Sequence, residues 1–87
     1  MKFEKDTWRC EIAGAADMPM RAMYEMYDGF EKAAPVLARV VKSHNLTDWD
    51  GQPVDLAQPR SASPRQLQWL RECVEQAARD ELVDPEA

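Results

Sequence analysis

Histidine occurs once in this chain, at His44, and cysteine only twice, at Cys10 and Cys73, with no C-x-x-C pair. A zinc site draws most of its ligands from these two residue types, so neither a metal nor any other cofactor is expected. No serine or cysteine stands near His44 in sequence to form a nucleophile and base. A pair assembled by folding would still need an orienting Asn or Asp and a pocket that so small a domain rarely has, so the chain is not expected to be an enzyme. Within one chain the two cysteines could pair only with each other. Without a recognisable secretory signal, two reduced thiols are the expected state.

Basic charge is also scarce: eleven Lys and Arg stand against sixteen Asp and Glu, for a formal net charge of −5, and the cations are scattered singly. A protein that binds nucleic acid must gather several cations on one surface to release counterions, so nucleic acid is not an expected partner. No apolar run approaches the roughly 20 residues needed to cross a bilayer, so no membrane association is expected. These absences describe a soluble, acidic, cytoplasmic protein. At 87 residues it forms one domain. A core of that size commonly supplies only about 3 to 5 kcal/mol, which leaves self-association or a partner as the remaining stabiliser.

The strongest positive signal runs from Met20 to Val41. Met20, Met23, Tyr27, Phe30, Ala34, Leu37 and Val41 recur at steps of three and four, the spacing of one helical face. The pattern predicts helix over residues 18–43, with Asp17 as N-cap and Pro19 in the first turn. Gly29 and Pro35 weaken its middle. Either one kinked helix continues, or a helix of about 18–31 ends and a second begins with Pro35 in its first turn. The break is preferred, since the residue before a proline is driven out of the α region. The apolar seam stays in phase in both cases.

Around this helix the chain predicts a mainly α (α+β) fold, in which two to three helices pack with a minimal antiparallel sheet or hairpin. Residues 1–6 are polar and read as a frayed terminus. Residues 7–12 alternate, with Trp8, Cys10 and Ile12 on one face, and read as a half-buried strand. Asp50-Gly51 marks a two-residue turn in a hairpin over 45–56, whose second arm, Pro53 to Leu56, is the expected partner of the 7–12 strand. Residues 58–63 read as a linker. Ser63-Pro64-Arg65-Gln66 forms a capping box that starts a helix over 64–82, with Leu67, Leu70, Val74, Ala77 and Ala78 inward and Arg71, Glu72, Glu75 and Arg79 outward. Residues 83–87 read as a disordered tail.

Met18, Met20, Met23 and Met26 fall within nine residues and stand beside Tyr24, Tyr27 and Phe30. Methionine is flexible and polarisable, so such a cluster suits either a core or a surface that adapts to apolar partners. These seven side chains cannot all share one narrow helical face, so some are candidates for partner binding. Asn45, Asp48, Asp50 and Gly51 are candidate turn residues. A calcium loop with Asp50 and Gly51 at its fifth and sixth positions would begin at Leu46 and end at Ala57, neither of which can ligate.

Val40, Val41, His44, Asn45, Leu46, Thr47, Asp48, Asp50, Gly51 and Pro53, followed by a final helix from Pro64, make a pattern that resembles the small tail assembly chaperones of long-tailed bacteriophages and prophages. The likeness covers about residues 17–82. His44 stands where the family pattern has a Trp, and Trp49 is the substitute anchor. The resemblance implies a cytoplasmic factor, absent from the finished particle, that keeps the helical tape-measure protein soluble and recruits tail-tube subunits, alone or as a homo-oligomer. A small structural head-tail protein of the virion has the same composition, as does a regulatory or counter-defence protein that binds a host factor.

Overall fold

The computed structural model describes residues 1–58 and 61–83. It is an α+β fold in which three helices pack against a three-stranded antiparallel sheet. The elements in order are β1 (Lys2–Lys5), β2 (Trp8–Ile12), a 3-10 turn (Ala15–Asp17), α1 (Met20–Glu25), α2 (Phe30–Val40), β3 (Val41–His44) and α3 (Pro64–Val83).

The sheet has β2 at its centre. Phe3 lies opposite Cys10 and Lys5 opposite Trp8 on one side, and His44 lies opposite Cys10 on the other, with an irregularity between Glu11 and Ile12. The expected frayed terminus is thus a strand. It turns at Asp6, whose φ of 56° is a conformation that aspartate tolerates better than most residues. The Met1 ammonium donates to the Ile12 carbonyl at 2.8 Å, which fixes the strand's outer end. Alternation places Cys10 and Ile12 inward, both buried, and Arg9 and Glu11 on the opposite face.

The expected pairing of 7–12 with 53–56 does not occur. Pro53 forms only an isolated bridge with Thr47, and β3 takes the place beside β2. A proline has no amide to give to a ladder, whereas Val41 to His44 supply a full set. The long helix correspondingly ends at Val40, where Val41 adopts φ −83° and ψ 108° and sinks its side chain against Ile12.

The break in the 18–43 segment is real, but it falls at residues 26–29 rather than at Pro35. Gly29 adopts φ 91° and ψ 165°, a region open to glycine almost alone, and the chain reverses there. Pro35 lies inside α2. One lost amide bond is tolerated because Ala33, Ala34, Val36, Leu37 and Val40 of the same helix are buried. The apolar seam does not stay in phase across the break. After the break Ala34, Leu37 and Val41 are buried, whereas Met20 before it and Tyr27 within it are exposed.

The capping box forms as the sequence predicts. The Ser63 amide donates to Gln66 Oε1 at 2.8 Å and the Gln66 amide to Ser63 Oγ at 3.1 Å. Gln66 Nε2 also donates to the Thr47 carbonyl at 2.7 Å, tying the start of α3 to the preceding loop. The inward side of α3 carries Leu67, Trp69, Leu70, Cys73, Val74 and Ala77, so Trp69 and Cys73 join the core beside the expected residues. The helix continues through Val83. Residues 59 and 60 of the expected linker and 84–87 of the expected tail lie outside the described residues.

Candidate partner-binding surface at the α1–α2 corner

Helix α1 is apolar on two sides. Its inner side sets Met23 against the core, and the turn that follows buries Met26 completely. Met18, just before α1, is half-buried and lines a cavity of about 370 Å³ between the 3-10 turn and α2 with Ala22, Pro35 and Val36. The outer side carries Met20, Tyr24 and Tyr27 at 65, 70 and 51 % exposure, and Phe30 at the start of α2 is 38 % exposed. Positions 20, 24 and 27 have helical i, i+4, i+7 spacing, continued past Glu25 by the bond from the Tyr27 amide to the Tyr24 carbonyl. Of the seven candidates, then, Met26 is core and Met18 and Met23 are partly covered, while Met20, Tyr24, Tyr27 and Phe30 remain at the surface.

The charged side chains around this stripe are paired. Arg21 contacts Glu25 at 3.7 Å, and Lys32 Nζ donates to Asp28 Oδ2 at 2.6 Å, each one helical turn apart. Such exposed pairs add little stability, but they leave the stripe bordered by neutralised charge.

Tyr27 is half engaged. The Arg71 guanidinium lies 5.3 Å from its ring centroid, and Arg71 Nε donates to the Met26 carbonyl. Burial and the neighbouring Glu75 carboxylate push the Tyr27 phenol up to about 12, with Arg71 pulling the other way. Arg71 and Glu75, expected to point outward, thus latch the corner to α3. Nothing in their spacing along α3 signals this, because the latch depends on where the chain reverses at Gly29.

The second set of candidates forms a loop of a different kind. Asp48 Oδ1 accepts from the amides of Asp50 and Gln52, both at 2.9 Å, and the Gly51 amide donates to the Asp48 carbonyl at 3.1 Å. Trp49 and Asp50 therefore occupy the centre of the turn, and Gly51 follows with φ 82°, one residue later than the two-residue reading places it. Asn45 acts elsewhere, taking the Arg9 amide on Oδ1 and giving Nδ2 to the Thr7 carbonyl, both at 2.7 Å, so it locks β2 to the chain after β3. Trp49 does not anchor this loop, since it is fully exposed; Leu46 and Val54 do, at 1 and 4 % exposure.

His44 faces Cys10 across the sheet, and its Nδ1 accepts from the Leu46 amide at 3.1 Å. Among the described residues no three His, Cys, Asp or Glu side chains converge as a metal site, and no helix is long and apolar enough to cross a membrane. Comparisons with known protein families, curated proteins and solved structures found no match.

Proposed function

We propose that this chain is a non-catalytic, cytoplasmic binding protein that holds an apolar helical segment of a phage tape-measure or tail-tube protein during tail assembly. The observation that carries the proposal is the outward stripe of Met20 and Tyr24 on α1 and Tyr27 in the turn after it, three large side chains exposed beside a helix whose inner side is already committed to the core. An apolar stripe of this spacing, bordered by paired charges, suits an amphipathic helix laid against it better than a charged ligand. Methionine and tyrosine supply adaptable and amphipathic contact area respectively. The sequence resemblance supports the choice of partner.

The test is co-expression with the tape-measure protein of the source phage or prophage, followed by affinity capture and sizing of the complex. The expected result is a soluble complex, with the tape-measure protein precipitating when expressed alone. Absence of a complex, together with incorporation of this chain into purified particles, would instead make it a structural subunit.

A further inference from the structure

Within the core, β2 and α3 meet in two layers. Trp8 and Cys10 lie two residues apart on β2, and Trp69 and Cys73 lie one turn apart on α3. Two strand residues advance about 6.6 Å and four helix residues about 6 Å, so the two elements stay in step. Trp8 and Trp69 form the outer layer, with ring centroids 5.6 Å apart. The next layer brings Cys10 against Cys73, both free thiols, each 4 % exposed and within hydrogen-bond reach of the other.

We propose that Cys10 and Cys73 form a built-in dithiol site, which a small-molecule disulfide oxidises to an intramolecular bridge. The route to it is an open cleft of about 250 Å³ that Cys10 itself lines together with Phe3, Arg9, Ser43 and His44, and through which a small disulfide such as oxidised glutathione reaches the thiol. The thiols are not equivalent. Contact with Cys73 holds the Cys10 thiol below its usual range, while the same contact, with burial, pushes Cys73 up. Cys10, the thiol that lines the cleft, is therefore the attacking group and Cys73, behind it, the resolving one.

The Cys10 thiolate attacks one sulfur of the reagent, forming a mixed disulfide and releasing the first thiol. Cys73 then gives up its proton and attacks the Cys10 sulfur, expelling the second. The protein loses two protons and two electrons, and the reagent is reduced to two thiols.

The test is incubation of the folded protein with oxidised glutathione, followed by peptide mass spectrometry without reduction and by thermal melting. The expected product is lighter by two hydrogens, links the peptides containing Cys10 and Cys73, and melts roughly 10 °C or more higher, because the bridge closes most of the chain into one loop. Cys73→Ser should accumulate the glutathione adduct on Cys10, whereas Cys10→Ser should react far more slowly. Separate adducts on the two cysteines of the unsubstituted protein, bridges between chains, or a lower melting temperature would each overturn the proposal. So would thiols that stay free under conditions that fully oxidise the urea-unfolded chain.

Discussion

Trp8 and Trp69 meet with their ring planes inclined at 50° and their centroids 5.6 Å apart, joining the second strand to the last helix. Trp69 is 6 % exposed and Trp8 half-buried, so the pair closes one end of the core. Trp69→Ala should cost about 3 to 5 kcal/mol in urea unfolding, and Trp8→Ala clearly less. A double-mutant cycle should return about 0.5 to 1.5 kcal/mol of coupling. A coupling of zero would mean that the rings are neighbours without interacting.

Surface and core methionines should separate cleanly. Met20→Ser with Tyr24→Ser should leave the circular-dichroism helix signal and the melting temperature nearly unchanged while weakening capture of the partner. Met26→Ser removes a fully buried side chain and should cost roughly 2 to 5 kcal/mol. A stable Met26→Ser variant, or a surface pair that melts early, would reverse the assignment of the two faces.

Gly51→Val should lower stability by about 1 to 2 kcal/mol, because valine must adopt a φ of 82°. An added Cβ would meet nothing within 4 Å, so the cost is backbone strain rather than collision. Gly51→Asn should therefore be milder in the same thermal melt, since asparagine tolerates this conformation. Equal effects from the two substitutions would count against strain as the cause.

Tyr27 should make stability fall in strong base. Its phenol is raised from about 10 to about 12 in the folded state, so the unfolded chain loses the proton first. Below pH 10 both states keep the proton and its contribution is fully present; it is lost as pH rises through the 10 to 12 window. Tyr27→Phe should remove that part of the decline. Melting curves of the two proteins across this window that stay parallel would show that Tyr27 is not responsible.

Much of α3 was legible, because a capping box and a 3.6-residue apolar repeat are local signals that folding does not overrule. The β2 alternation was equally clear. Which strands would flank β2 was not. Lys2 to Lys5 has too few apolar residues to mark a strand, and Val41 to His44 continues a helical repeat without interruption. Both become strands because β2 has two edges whose amides and carbonyls need partners, a demand that lies outside either segment. The candidate surface was legible as a set of residues but not as a face. Met26 and Tyr27 are neighbours in sequence, and only the reversal at Gly29 decides that one is covered and the other is not.

The union of β2 with α3 also sets an order of events during synthesis. Until α3 has left the ribosome, the apolar residues of β2 and α2 lack the cover that Leu67, Trp69, Leu70, Cys73, Val74 and Ala77 provide, so the nascent chain can make hairpin and helix but cannot close its core. Helix α3 is thus the step that commits the molecule to its fold, and a chain stopped before Leu67 would carry most of the apolar material of a domain without the helix that covers it.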